Sequence, residues 1–238
     1  MLKQIQAHIQ TGKLFRIVFV GDSLTSCEWV HPNWREIIEY VLKQELGKSM
    51  EDWKLPSWNI RCINSGLDGS TTSDFLTRLD EYVLQFDPQL TFIMLGGNDR
   101  FFIDPSDTKG NLLKIIRAVQ YSGSTVILST EPVTASEAYD HDKEGMQKDI
   151  RILAQEADYF VDMYEKTKDI PLDRIYTFHE EEGNEECGIN PGGIDFVHPN
   201  SLGNAYIAQV FLKELFTIDF DPEKYMKDVA SGEKYPRY

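Results

Sequence analysis

Apolar and polar positions along this chain fall into short blocks whose period switches back and forth. Residues 1–12 place Leu2, Ile5 and Ile9 on one side and end at Gly12, the pattern of a short amphipathic helix or arm. Ile17 to Val20 then forms an unbroken β-branched and aromatic run, which predicts a strand over 15–20, buried on both faces. Trp34, Ile37, Ile38, Val41, Leu42 and Leu46 recur at helical spacing, so a helix is expected from 34 to about 46, closed by Gly47. Residues 48–57 read as a polar connection, and a second strand is expected at about 58–63, ending at Asn64-Ser65-Gly66. A helix over 74–86 follows, capped by Ser73 or Asp74 and broken by Asp87-Pro88. The third strand is expected at 90–95, a helix at 109–121 and the fourth strand at 125–129. A polar loop over 131–144 leads to a helix at 146–157 and a fifth strand at 159–163. The stretch 164–197 has no clear period, and Ser201 to Phe216 is a last amphipathic helix. The tail 217–238 holds Phe220, Tyr225, Tyr235 and Tyr238, enough aromatic surface to dock.

Five strands alternating with helices imply a parallel sheet between helical layers, joined by right-handed crossovers. No internal repeat or low-complexity linker divides the chain. Residues 1–238 therefore read as one α/β domain, with the arm at 1–12 and the tail at 217–238. At 238 residues the chain is long enough to bury a full core.

Charge narrows the partners. A formal net charge of −15 argues against nucleic acid, whose phosphates call for basic patches, and against anionic membrane surfaces. Nothing near a run of about twenty apolar residues occurs, so no membrane span is expected. The polar start, Met1-Leu2-Lys3-Gln4, does not read as a signal peptide. Cys27, Cys62 and Cys187 are an odd number at scattered spacings, which suits a reducing compartment and points to the cytoplasm.

In a parallel sheet the carboxyl ends of all strands lie on one edge, where ligands bind. Three of those ends carry glycine-rich polar clusters: Gly21-Asp22-Ser23, Gly66 to Thr71, and Gly96-Gly97-Asn98-Asp99. A lone serine after a strand is usually a turn residue or a cap. Three such clusters on one edge instead supply close backbone N–H groups and the Asn98 amide, the parts that stabilise an oxyanion beside a nucleophilic Ser23. Such a serine needs a base, and the base an orienting acceptor. Asp195-Phe196-Val197-His198 supplies both, just ahead of the last helix.

These blocks, in this order, resemble those of the SGNH, or GDSL, serine hydrolases. Gly21-Asp22-Ser23-Leu24 is similar to the first block, Asn64 to Thr72 to the second, Gly96-Gly97-Asn98-Asp99 to the third, and Asp195 with His198 to the last. The resemblance implies a three-layer, flavodoxin-like α/β/α sandwich and hydrolysis of carboxylic esters or thioesters without a metal or other cofactor. It also implies a triad of Ser23, His198 and Asp195, with an oxyanion hole from Ser23 N–H, Gly69 N–H and the Asn98 amide. Thr25 stands where the Gly-X-Ser-X-Gly elbow of α/β-hydrolases has glycine, so that motif is absent.

Two features depart from a minimal member. Ser70 occupies a position that is aspartate in many relatives, and 164–194 is long and acidic, reading as a solvated loop with a lid as the alternative. Glu28-Trp29-Val30-His31-Pro32-Asn33 repeats the acid-X-Val-His-Pro-Asn pattern of 195–200. His31 is thus a rival base that reads more simply as part of a helix entry, or, with Trp29 and Trp34, as a pocket wall. Phe101 and Phe102 suit either the pocket or the core. Cys27 reads as a small buried apolar residue, His141, His179 and Cys187 lack zinc spacing, and the run Glu180 to Glu186 reads as a solvated face. The expected substrate is a small-molecule ester with a small or medium acyl chain, such as an acetylated sugar. Acyl transfer at the same site and a non-catalytic ligand-binding module are the rival readings. The oligomeric state is not legible.

Overall fold

Strand β1 (Phe15–Gly21) lies between β2 (Ile60–Gly66) and β3 (Leu90–Met94), parallel to both. The computed structural model describes residues 1–238 and every side chain except that of Pro105. With β4 (Thr125–Ser129) and β5 (Tyr159–Val161) the sheet order is β2-β1-β3-β4-β5, all parallel. The chain leaves β1 for one edge and returns to β3 on the other side of β1, so the order reverses between β1 and β3. Ligands bind at such a switch point.

Alternate residues of β1 feed two cores, as a doubly covered strand requires. Ile17 and Phe19 pack with Trp34, Ile38, Phe92 and Phe211 under the helices Leu2–Gln10, Trp34–Ser49, Ser201–Phe216 and Pro222–Ala230. Val18 and Val20 pack with Phe75, Ile93, Leu112, Ile116 and Val126 under the helices Thr72–Tyr82, Pro105–Tyr121 and Glu144–Ile152. The result is the expected three-layer α/β/α arrangement. Among the described residues no helix is long and apolar enough to cross a membrane.

Element boundaries moved for identifiable reasons. Gly47 does not close its helix; it sits in open space within a helix that runs on to Ser49, a site where glycine costs only about 1 kcal/mol. The supposed connection 48–57 holds a short helix, Lys54–Asn59, whose Asn59 donates to the Lys13 carbonyl at 3.1 Å. That helix displaces β2 to Ile60–Gly66, so Asn64-Ser65-Gly66 continues the strand, with Ser65 beside Val20 and Gly66 beside Gly21. Thr71, not Ser73 or Asp74, caps the next helix. Its hydroxyl accepts from Asp74 N–H while the Asp74 carboxylate accepts from Thr71 N–H, a reciprocal box that starts the helix at Thr72. That helix ends at Tyr82, followed by a 3-10 turn at Leu84–Phe86. Asp104 caps the following helix, which begins four residues earlier than its apolar spacing suggests. The loop 131–144 contains the helix Glu137–Asp142, and the helix read as 146–157 is Glu144–Ile152 with a 3-10 turn after it. Residues 164–197 include an antiparallel pair, β6 (His179–Glu180) with β7 (Gly193–Ile194).

The tail docks. Tyr238 donates to Glu45 at 2.6 Å and its ring stacks on Phe220, while Arg237 grips the Asp228 carboxylate at 2.8 and 3.1 Å. Side-chain and backbone hydrogen bonds from Arg237 hold that carboxyl down at about 2. A depressed carboxyl favours the docked state above its unfolded value near 4, and that preference fades as pH falls toward 2. Residues after Ala230 are therefore expected to become protease-sensitive between about pH 4 and 2, and Asp228→Asn to show the same sensitivity at pH 7; limited acid-protease digestion and hydrogen exchange measure both.

Candidate active site

The chain turns sharply after β1 because two glycines let it. A Cβ on Gly21 would overlap Thr25 and the Met94 carbonyl, and one on Gly66 would overlap the backbone of Thr25 and Ser26. Within the turn, Thr25 N–H and Ser26 N–H donate to the Asp22 carbonyl at 3.0 and 2.9 Å, and Leu24 N–H donates to the Asp22 carboxylate at 3.1 Å. These bonds leave the half-buried Ser23 at the crest, on the switch-point edge.

His198 reaches it from the far end of the chain. Asp195 is tied to the Phe178 carbonyl by its own N–H at 2.9 Å, and Asn200 caps the helix Ser201–Phe216, so the segment between them is held at both ends. One Asp195 oxygen accepts Val197 and His198 N–H at 2.8 and 3.0 Å, and the other accepts His198 Nδ1–H at 2.6 Å. With that nitrogen protonated, His198 Nε2 is the acceptor for Ser23 Oγ–H at 2.9 Å. Burial alone would raise the Asp195 carboxyl. The hydrogen bond and charge of His198, with the two backbone N–H groups, outweigh it and hold the carboxyl below its ordinary value.

The second and third clusters meet each other. Ser70 N–H closes a turn on the Leu67 carbonyl at 3.1 Å, which puts Gly69 at its third position with φ +66°, a conformation that favours glycine. Asn98 donates one amide hydrogen to the Ser70 carbonyl at 3.1 Å; its second N–H is a further donor. Asp99, buried beneath, accepts from Thr72 N–H at 2.8 Å and from Thr72 Oγ–H at 2.5 Å. Burial raises the Asp99 carboxyl against those bonds. Beside Ser70, Thr71 and Thr72 are bonded to Asp74 and Asp99, while the Ser70 hydroxyl itself has no partner among the described residues.

The other sequence candidates divide. Trp29 lies flat on His198, ring centroids 4.5 Å apart and planes 11° from parallel, and its Nε1–H donates to Asp68 at 2.9 Å. His31 is at the helix entry, its Nδ1 3.2 Å from Glu36, with the side chain 65% exposed. Trp34 is no pocket wall: it is fully buried, donating to the Leu24 carbonyl at 3.0 Å. Phe101 lines a cavity of about 640 Å³ with Arg100, Tyr139, Cys187 and Phe196, while Phe102 faces solvent. Glu185, Glu186 and Gly188 wall the same cavity, which reaches Phe196 next to Asp195 but is not lined by Ser23 or His198. Cys27 is half-buried, not buried.

Two features escaped the sequence reading. Lys143 and Glu131, both almost fully buried, pair at 2.6 Å near Asp22, whose carboxyl burial and the Glu131 charge push well above the ordinary range. A side chain at Gly97 would strike the Glu131 carboxylate, so the third cluster wraps this pair. Neither Lys143 nor Glu131 stands out in a polar loop. The second is Glu180, which β6 brings close enough that its carboxylate, Asp195 and His198 offer ligand atoms within 4.8 Å of one another. A tetrahedral ion with bonds of about 2.0–2.2 Å would set its ligand atoms about 3.4 Å apart, whereas His198 Nδ1 and Asp195 Oδ2 lie 2.6 Å apart. As arranged, that pair fits a shared proton.

Sheet order, switch-point placement and a hydrogen-bonded serine–imidazole–carboxylate chain are the arrangement that the resemblance to the SGNH hydrolases implies. Residues 19–206 match the GDSL-like Lipase/Acylhydrolase family, and the chain belongs to it. It is 23% identical over 230 residues to an acetylxylan esterase of Geobacillus stearothermophilus, covering 87% of this chain and 96% of that protein. It is 27% identical over 117 residues to an arylesterase of Vibrio mimicus, 48% of this chain and 52% of that one. Among solved structures, the fold is similar to a lipase/acylhydrolase from Enterococcus faecalis, TM-score 0.63 at 21% identity, over 85% of this chain and 95% of that one. It is also similar to the Geobacillus acetylxylan esterase, TM-score 0.61 at 19% identity, over 85% and 94%. The chain is a carboxylic ester hydrolase by family.

Removing one partner of a buried pair leaves the other charge uncompensated. Lys143→Met is expected to destabilise the fold by about 3–5 kcal/mol, read from urea unfolding, and the double variant Lys143→Met/Glu131→Leu to recover most of that loss.

Proposed function

We propose that this chain hydrolyses short-acyl esters of polar alcohols, acetylated carbohydrate above all, through an acyl-enzyme on Ser23. The observation that carries the reading is the unbroken hydrogen-bonded chain from Ser23 Oγ through His198 to Asp195. His198 Nε2 takes the hydroxyl proton as Oγ attacks the ester carbonyl, and Asp195 holds the ring in the tautomer that leaves Nε2 free to do so. Negative charge develops on the carbonyl oxygen, for which Ser23 N–H, Gly69 N–H and the second Asn98 N–H are the candidate donors. The imidazolium protonates the departing alcohol, and water then repeats the sequence to release the acid. The cavity beside Phe196 supports a polar alcohol portion: aromatic rings from Phe101, Tyr139 and Phe196 share it with Arg100, Ser136 and Asp142. The acetylxylan esterase among the relatives points the same way. Three unpaired thiols suit a cytoplasmic setting.

With p-nitrophenyl acetate, Ser23→Ala and His198→Ala are each expected to lower kcat/KM by at least about a thousandfold, Asn98→Ala by about a hundredfold or more, and His31→Ala by less than about twofold. Undiminished turnover by Ser23→Ala would overturn the reading. The Asp195 carboxyl is held below its ordinary value, so the acceptor that orients His198 is expected to stay ionised on mild acidification.

A further inference from the structure

His198 is held in the plane of its ring. Asp195 sits at Nδ1 and Ser23 at Nε2, at 2.6 and 2.9 Å, and neither bond resists a tilt of the ring about the line joining them. The indole of Trp29 lies where such a tilt would begin, 4.5 Å away and 11° from parallel. Burial does not explain its place, since Trp29 is 43% exposed. What fixes it is the 2.9 Å bond from Nε1–H to Asp68, one residue before Gly69 in the turn closed by Ser70. A single side chain from the loop after β1 thus braces the imidazole against the loop after β2.

We infer that Trp29 is a positioning residue for the reaction, acting through His198 and not on the substrate. This rests on the proposed role of His198 as base. The indole has two effects. It limits the ring to the plane in which Nε2 meets Oγ–H, and its π face favours the imidazolium, which exists only after the serine proton has moved. Both favour the transition state over the bound ester, so the effect falls on kcat and leaves KM in place. A wall contacting the ester would instead change KM.

The test is a set of variants assayed with p-nitrophenyl acetate. Trp29→Ala is expected to lower kcat about tenfold with KM within about twofold. Trp29→Phe keeps a ring face and should recover most of the loss, and Asp68→Ala, which frees the indole, should fall between. In a His198→Ala background the residual rate should not drop further on adding Trp29→Ala, because the target of the brace is gone. A Trp29→Ala effect that persists there, or one seen in KM, would overturn the inference and make Trp29 a substrate contact. An unchanged kcat in Trp29→Ala, with His198→Ala inactive, would also overturn it while leaving the base intact. Full activity in His198→Ala would remove the base and this role together. Unchanged thermal unfolding of Trp29→Ala is expected from its exposed position and would separate these effects from misfolding.

Discussion

The contact between Ser23 Oγ and His198 Nε2 depends on one steric permission, the absence of side chains at Gly21 and Gly66. These two residues are neighbours in the β1–β2 register, and the turn carrying Ser23 folds back against both. A methyl at either position would overlap Thr25 or Ser26, so the loop would have to shift. The serine would then move relative to an imidazole whose own segment is pinned at Phe178 and at the cap of the last helix. Close packing at the strand ends therefore helps set the distance between Ser23 and His198.

Around that contact the molecule arranges negative charge in two ways. Asp195 is buried yet satisfied three times over, and it stays ionised. Asp22 is buried near the Glu131 carboxylate and is pushed toward its neutral form, an effect that the charge of Lys143 partly offsets. The same residue type is held as the anion in one place and pushed toward its neutral form one residue from Ser23. Partners decide which, since burial pushes both carboxyls the same way.

Much of this was legible in the sequence because it rests on local signals. The run Ile17–Val20 could only be a doubly covered strand, and the glycine-rich ends of three strands fell on one edge once the alternation of strands and helices was read. Asp195 and His198 share a short segment, so their bond is nearly written in the spacing. Less local features were not legible. β2 starts at Ile60 because its partner is β1, a tertiary constraint that overrides the apolar Trp58. Thr71 displaced Ser73 as the cap through a reciprocal bond with Asp74, and any of these residues can cap in isolation. Lys143 looked like a solvated residue of a polar loop, and nothing in its neighbours announces that it is buried on Glu131. The repeat of Val-His-Pro-Asn at 30–33 and 197–200 reflects a shared helix entry: Asn33 and Asn200 both cap the helices that follow.

The pair of short strands β6 and β7 has a double attachment. Its connecting segment supplies Glu185, Glu186 and Gly188 to the cavity, and the residue after β7 is Asp195, hung from the Phe178 carbonyl just ahead of β6. The wall of that cavity and the Asp195–His198 bond are thus mechanically linked. A change that reshapes this hairpin also moves the carboxylate bonded to His198, so the cavity wall and that hydrogen bond do not vary independently.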